Sequence, residues 1–191
     1  WFESADGKVR GYYTPEGKGM RKAFLRAPLD FTRISSRFNP NRRHPITGKV
    51  RAHKGIDYAA PTGTPIYAAG DGRIEFAGRK GGYGNAVVIN HGRNITTLYG
   101  HMSRFGKSAR HGRAVRQGEV IGFVGSTGAS TGPHLHYEYR IKGAHKNPES
   151  IPLPNTEIAA AYVSEFRGQA ETTLAQLEMA SAVGTGRLAS L

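Results

Sequence analysis

The chain has 191 residues, of which 38% are hydrophobic, and it contains no cysteine. The absence of cysteine excludes disulfide bonds, thiolate zinc fingers, iron–sulfur clusters and thiol nucleophiles. The 27 lysines and arginines outnumber the 14 aspartates and glutamates, and the net charge of +13 indicates an anionic partner such as nucleic acid, an anionic membrane or an acidic polymer.

The N-terminal region, residues 1–33, is predicted to be an extension made of strands. It begins at Trp1 and has no leader-like apolar stretch, so we expect a mature form whose upstream part is missing. A membrane anchor, if the protein has one, is expected only in that upstream part. Tyr12, Tyr13 and the run 24–29 predict a hairpin or a pair of extended strands laid over the rest of the protein.

The middle of the chain alternates short β-rich runs with glycine-rich turns, a pattern typical of an all-β body. No convincing long helical pattern interrupts it. The predicted strands are residues 73–77, 86–91, 95–101, 120–124 and 134–141.

The C-terminal region, residues 151–191, differs in composition. It carries a net charge of −2, whereas the preceding part carries +15. Prolines at its start indicate a linker, and apolar residues at helical spacing from Asn155 onward predict one helix or two shorter ones. Asn155 or Thr156 is the predicted N-terminal cap, and Gly184 and Gly186 are predicted to end the helix.

Two groups of chemically active side chains stand out among the eight histidines of the chain. His53 and Asp57 are four residues apart, and this spacing places them on the same side of either a strand or a helix. On the last predicted strand, His134, His136 and Glu138 share one face, while apolar residues occupy the other face. Burial of the apolar face would hold the strand rigidly and so fix the positions of His134, His136 and Glu138 on the other face.

These residues predict a metal site. Two histidines and one carboxylate are a known catalytic zinc set that leaves the fourth position for water. Because cysteine is absent, a closed thiolate site is impossible, and an open catalytic site is the expected kind. No His-Glu-x-x-His helix occurs, which excludes the helical zincin arrangement. His101, at the end of a predicted strand, is ambiguous by itself.

Three spaced motifs occur in order between residues 34 and 148. They are His53-x-x-x-Asp57 with the following segment 60–65, Tyr99-Gly100-His101-Met102, and the segment 130–138 that includes Gly132-Pro133-His134-Leu135-His136. Together they resemble the lysostaphin-type, or LytM-domain, zinc endopeptidases of bacterial cell walls. The upstream segments 24–29 and 33–48 resemble the Gram-negative branch that cuts peptidoglycan cross-links.

The resemblance implies a fold and a set of residue roles. It implies a mainly β fold, with an antiparallel-sheet LytM-type peptidase domain over residues 34–150 and a C-terminal helical tail. His53, Asp57 and His136 would be the ligands of one zinc ion. His101 and His134 would be the unliganded catalytic pair, and the choice of general base between them is open.

The resemblance also implies a function. It implies an endopeptidase that hydrolyses peptide cross-links of peptidoglycan with zinc-activated water, at the bond between D-Ala and meso-diaminopimelate. A glycyl-glycine bond is the alternative within the family. The expected partners are peptidoglycan peptide stems, and nucleic acid is not expected. The expected location is outside the cytoplasm, in the periplasm or cell envelope of a Gram-negative bacterium.

Several neighbours of the motifs are candidates for supporting roles, each with a plain alternative as a turn or surface residue. Glu138 would orient an imidazole, unless it is a solvated or salt-bridged strand residue. Arg42, Arg43 and His44 could contact substrate carboxylates. The candidates for substrate binding are Tyr83, Asn85, Ser130 and Thr131.

Two alternative functions are open at this stage. One is a LytM-like module without catalytic activity that binds and activates a cell-wall amidase, although the intact set of five residues argues against it. The other is a basic nucleic-acid-binding module, which lacks a recognisable binding motif and has no aromatic residues interleaved with the basic ones. The positive charge fits better as attraction to a wall polymer that bears peptide carboxylates.

Overall fold

The structure is a computed structural model that describes residues 1–42 and 52–188. The described residues form β-strands, two short 3-10 helices at Gly81–Tyr83 and Ala160–Tyr162, and the helix α1 at Val163–Leu188. The strands are β1 Phe2–Glu3, β2 Arg10–Gly11, β3 Lys18–Lys22, β4 Arg33–Ser36, β5 Ile56–Ala59, β6 Pro65–Tyr67, β7 Gly72–Arg79, β8 Asn85–Asn90, β9 Ile95–Phe105, β10 Ala114–Val115, β11 Val120–Val124, β12 His134–Ile141, β13 Ala144–Lys146 and β14 Asn155–Glu157.

The chain divides into two compact units, and Phe24–Pro152 forms the larger one. Its main sheet has the strand order β10-β7-β8-β9-β12-β5-β4, with β13 paired to β12 and with β11 paired to both β6 and β9. Every recorded pairing is antiparallel. The predicted mainly β, antiparallel fold with a C-terminal helix is therefore confirmed.

The five predicted strands of the larger unit are all present. The predictions for 120–124 and 134–141 agree with the observed bounds of β11 and β12. The strand predicted at 95–101 continues to Phe105 as β9. It passes through Gly100 because β12 and β11 supply hydrogen-bonding partners along its length.

The smaller unit consists of Trp1–Ala23 and Leu153–Leu191. Strand β1 pairs with β2, and β3 pairs with β14. Phe2, Tyr13 and Phe166 form an aromatic cluster, with ring centroids 5.3 Å apart for Phe2 and Phe166 and 5.9 Å apart for Tyr13 and Phe166. In the part of the chain that the structure describes, no helix combines the length and apolar character needed to cross a membrane.

The prediction for the ends of the tail helix was wrong. Asn155 and Thr156 lie in β14 rather than at a cap, because β3, more than 130 residues away in sequence, supplies the pairing partner. The helix begins at Val163 and continues through Gly184 and Gly186 to Leu188. A glycine inside a helix costs about 1 kcal/mol, which does not by itself end it.

Two buried tyrosines of the main sheet, Tyr99 on β9 and Tyr137 on β12, differ in their hydrogen bonding. The hydroxyl of Tyr99 accepts hydrogen bonds from the Ala69 backbone N–H at 2.8 Å and from the Thr97 hydroxyl at 2.9 Å. The hydroxyl of Tyr137 is also buried but has no hydrogen-bond partner among the described residues. A buried polar group without a partner opposes folding, whereas a paired one does not.

This contrast predicts opposite effects of the same substitution. Tyr99→Phe is expected to lower the free energy of unfolding by about 1–3 kcal/mol, because it leaves the buried N–H of Ala69 without an acceptor. Tyr137→Phe is expected to leave stability unchanged or to raise it. Urea denaturation of both variants beside the wild type measures the difference, and equal destabilisation by the two substitutions would contradict the prediction.

Candidate active site

Strand β12 carries the centre of the site between two neighbouring strands. His136 lies opposite Asp57 of β5 on one side and opposite Gly100 of β9 on the other. The inward-facing residues of β12 pack in the core, so the opposite face, with His134 and His136, is presented to a cleft. The predicted alternation along this strand is present.

Three ligand-type atoms converge at this place. Asp57 Oδ1 lies 2.7 Å from His136 Nδ1 and 3.1 Å from His53 Nε2. The two ring nitrogens are 3.3 Å apart. A group of this composition and spacing can hold a metal ion. The structure therefore brings together the three residues that the sequence resemblance implied as ligands.

The outer contacts of the two imidazoles orient them for metal binding. His53 Nδ1 donates to the backbone carbonyl of Arg37 at 2.7 Å, and His136 Nε2 donates to Glu138 Oε1 at 3.1 Å. Each hydrogen bond keeps a ring proton on the outer nitrogen, so a metal ion can replace the proton that the inner nitrogen shares with Asp57. Two such nitrogens and one carboxylate oxygen match the ligand chemistry of zinc.

The electrostatics of the site also favour a cation. Burial works against a charged His136, but hydrogen bonds to Asp57 and Glu138 outweigh burial and raise the pKa of His136 to about 9. Burial likewise opposes ionisation of Asp57, yet hydrogen bonds from His136 and His53 hold the pKa of its carboxyl well below the usual range. Positive charge, whether a proton or a metal ion, is stabilised between these carboxylates.

Glu138 is a buried carboxylate with a partner on each side. Its Oε1 accepts from the Tyr83 hydroxyl at 2.8 Å as well as from His136, and its Oε2 accepts from Arg140 Nε at 2.8 Å. Burial alone would raise the pKa of Glu138, but hydrogen bonds from His136 and Arg140 lower it to about 2. Burial and the neighbouring Glu138 raise the pKa of Tyr83 to about 12, so its hydroxyl stays protonated and donates.

His101 and His134 form a second pair beside the three converging atoms. Their ring centroids are 4.6 Å apart, and His134 Nε2 lies 3.8 Å from Asp57 Oδ1. His101 Nδ1 donates to the carbonyl of Thr127 at 2.7 Å, and His134 Nδ1 donates to that of Gly132 at 2.8 Å. Nε2 is thus the unprotonated nitrogen of each ring. Burial lowers the pKa of His101, which keeps it neutral and able to accept a proton.

The cleft has a volume of about 820 Å³. Of the residues predicted to bind substrate, Tyr83, Ser130 and Thr131 line it, together with Arg42. Ser130 Oγ donates to the Gly132 carbonyl at 2.8 Å and lies 3.3 Å from His134 Nδ1.

Three other predicted substrate contacts are not among the residues that line the cleft. Asn85 donates from its Nδ2 to the carbonyl of Met102 at 3.1 Å. Arg43 and His44 lie outside the residues that the structure describes.

Two residues with a close structural relation to the site were not singled out from the sequence. A Cβ at Gly55 would lie 2.5 Å from the Tyr137 carbonyl oxygen and 2.8 Å from the His136 ring, so only glycine allows the chain to pass there. The place of Gly55 inside the first motif was a usable signal. Thr127 holds His101, and nothing in the local sequence pattern indicates that contact.

Comparisons with known proteins agree with this geometry. Residues 51–148 match the sequence model of peptidase family M23. The peptidoglycan DD-endopeptidase ShyC of Vibrio cholerae is 46% identical over 174 residues, which cover 91% of this chain and 40% of that protein. The DD-carboxypeptidase/endopeptidase Mpg of Neisseria meningitidis is 56% identical over 153 residues, which cover 78% of this chain and 35% of that protein.

A solved structure shows the same likeness in three dimensions. A zinc-containing peptidase from Vibrio cholerae superposes with a TM-score of 0.67 at 36% identity, covering 80% of this chain and 46% of that one. The chain therefore spans less than half the length of the relatives described here.

Proposed function

The chain belongs to peptidase family M23, and on this basis we propose that it is a zinc-dependent endopeptidase that hydrolyses the peptide cross-links of bacterial peptidoglycan. The observation that carries the proposal is the convergence of His53 Nε2, Asp57 Oδ1 and His136 Nδ1 beside two further histidines in one cleft. The names of the relatives ShyC and Mpg support the choice of substrate.

Zinc is the metal that fits this set of donors. We propose that His53, Asp57 and His136 hold one ion, which leaves a position for water. When bound, zinc lowers the pKa of a coordinated water towards about 7 and polarises the scissile carbonyl. The outer hydrogen bonds to the Arg37 carbonyl and to Glu138 keep both imidazoles in the tautomer that can coordinate.

His101 and His134 take different roles in this proposal. The Nε2 of one ring accepts a proton from the attacking water, and that proton passes to the amine nitrogen as the C–N bond breaks. The other ring, in its doubly protonated form with a second proton on Nε2, donates a hydrogen bond to the carbonyl oxygen as negative charge develops on it. Both rings are held through Nδ1 by backbone carbonyls, so neither must reorient during the reaction.

The finer assignment concerns the bond and the location. We propose the bond between D-Ala and meso-diaminopimelate, and a site of action in the cell envelope. Stem peptides carry free carboxylates, and the basic side chains of Arg33, Arg42 and Lys54 line the cleft where such groups would bind.

Digestion of a purified cross-linked muropeptide dimer tests the proposal. With zinc supplied, mass spectrometry should show two monomers. Their summed mass should exceed that of the dimer by one water, because hydrolysis of the cross-link adds one water. Pre-treatment with a chelator should prevent cleavage, and added zinc should restore it. Dimers that stay intact with zinc would contradict the proposal, and stimulation of a purified amidase without any cleavage would instead support the activator alternative.

The contacts of Glu138 lead to a prediction about zinc affinity. In Glu138→Gln, one amide group replaces two charged acceptor oxygens, so either His136 or Arg140 faces an N–H donor in place of an acceptor. We expect zinc affinity to fall about 10–100-fold, because in either orientation the His136 ring loses the charged acceptor that holds its outer proton. Competition with a zinc-binding dye measures this change.

Tyr83→Phe is the matched control for that variant. It removes a different hydrogen bond to the same oxygen of Glu138 while leaving the bond to His136 in place. We expect its zinc affinity to remain within about threefold of the wild type. Equal loss of affinity in both variants would mean that general disturbance of the network, not the contact with His136, is responsible.

A further inference from the structure

His101 lies in a β-bulge between β8 and β9. Asn85 is paired with Met102 and Val87 with Tyr99, so Gly100 and His101 together oppose the single residue Ala86. The φ angle of His101 is 62°, in the left-handed region that residues with a side chain rarely adopt. A bulge redirects the side chain it carries, and such a conformation persists only where the surrounding structure enforces it.

Thr127 contacts both flanks of this bulge. Its hydroxyl accepts a hydrogen bond from the backbone N–H of Asn85 and donates one to the carbonyl of Met102, each at 2.9 Å. Its own carbonyl accepts from His101 Nδ1 at 2.7 Å. One residue therefore ties together the strand opposite the bulge, the residue that follows His101, and the His101 ring itself.

The loop that carries Thr127 is pressed against a second loop. A Cβ at Gly84 would lie 2.4 Å from the Thr127 hydroxyl, and a Cβ at Gly128 would lie 2.4 Å from the Gly84 nitrogen. Both glycines have positive φ angles, 64° and 77°. Ala129 N also donates to the Gly82 carbonyl at 2.8 Å. This close contact between the two loops fixes the position of the Thr127 carbonyl relative to the His101 ring.

We propose that Thr127 is a positioning residue for catalysis, which acts by locking the His101 ring through the bulge. Its carbonyl holds the proton on Nδ1, and its hydroxyl holds the carbonyl in place, so that Nε2 of His101 is presented to the cleft as an unprotonated nitrogen. This inference rests on the proposed function, in which His101 touches the reacting atoms.

The test compares two substitutions of Thr127, which separate the hydroxyl from the shape of the side chain, with a control substitution at another threonine. Thr127→Val keeps the shape and removes both hydroxyl hydrogen bonds, whereas Thr127→Ser keeps the hydroxyl. We expect kcat on a soluble cross-linked muropeptide to fall about 10–100-fold in Thr127→Val, with KM within about twofold, because misplacement of a reacting group by about 1 Å costs about that much. Thr127→Ser should remain within about threefold of the wild type. Thr64→Val is the control and should be unchanged, because Thr64 is a half-buried threonine whose hydroxyl also donates to a backbone carbonyl, that of Pro61.

A second measurement does not depend on activity. Nitrogen NMR of the histidine rings should show His101 as the single Nδ1–H tautomer in the wild type and as a mixture in Thr127→Val, while zinc content stays at one ion per chain in both. If Thr127→Val does not fold, Thr127→Ala takes its place. Wild-type kcat together with the wild-type tautomer in the folded variant overturns the inference. Absence of cleavage by the wild-type protein refutes the proposed function instead, and the NMR result still decides whether Thr127 holds the ring.

Discussion

Replacement of His136 by alanine is expected to abolish zinc binding and to reduce cleavage of a cross-linked muropeptide by at least about 10³-fold. The ring supplies one of three converging ligand atoms, and its loss leaves His53 and Asp57 as a pair that cannot close the site. Metal activation of water and polarisation of the carbonyl are together worth several kcal/mol, and each 1.36 kcal/mol is a factor of ten in rate. Metal analysis of the purified variant and mass spectrometry of its digests measure the two effects.

A control substitution separates loss of the ligand from loss of a histidine. His111 is exposed and its ring donates to the backbone carbonyl of Glu75, away from the cleft-lining residues, so His111→Ala should retain zinc and activity. Zinc should also raise the melting temperature of the wild type and not that of His136→Ala, since only a protein that binds the ion is stabilised by it. Zinc-dependent cleavage by His136→Ala at a wild-type rate would refute the assignment of this ligand.

Replacement of His134 by alanine is expected to separate activity from metal binding. His134 Nε2 lies 3.8 Å from Asp57 Oδ1, but the ring is held through the Gly132 carbonyl and does not complete the group of converging atoms. We therefore expect one zinc ion per chain and a fall in kcat of about 10²–10⁴-fold, the range that loss of a general acid or base produces. Metal content and steady-state kinetics on the same preparation measure both quantities.

The same separation is expected for His101, whose ring centroid is 4.6 Å from that of His134. If the two rings share one proton-transfer system, the double variant should lose little more activity than the more severe single variant. Multiplication of the two losses would show instead that the rings act independently. Wild-type activity in His134→Ala would contradict the catalytic assignment, and loss of zinc from it would make His134 a ligand.

Four of the five central residues carry short-range signals in the sequence, whereas His101 was indicated only by the resemblance of its motif to the family. His134 and His136 alternate with buried residues on one strand, and His53 and Asp57 lie within one local motif. Their mutual distances could not be read from the residues, because they depend on the pairing of β5, β9 and β12 across about 80 positions of sequence. The resemblance of the motifs to a known family indicated only that these residues lie together in one site.

Other features required long-range contacts that no local pattern carries. Asn155 and Thr156 have the residue types of a helix cap, yet pairing with β3 makes them a strand. The amide of Asn85, a predicted substrate contact, donates to the Met102 carbonyl, a partner that the sequence pattern does not indicate. In each case the residue type indicated a hydrogen-bonding side chain. A partner elsewhere in the chain determines which hydrogen bond that residue makes.

The sequence by itself determined the mainly β character, the types of donor atom available for a metal and the two faces of the strand that carries His134 and His136, because side-chain alternation and donor type are properties of neighbouring residues. The absence of cysteine had already excluded thiolate ligands from any metal site. Only the tertiary structure decided the tautomers of His53 and His136, the bulge that turns His101 into the cleft, and the hold of Thr127 on it. These depend on where hydrogen-bonding partners such as the Arg37 carbonyl, the Thr127 carbonyl and the Glu138 carboxylate lie, and the packing of strands and loops sets those positions.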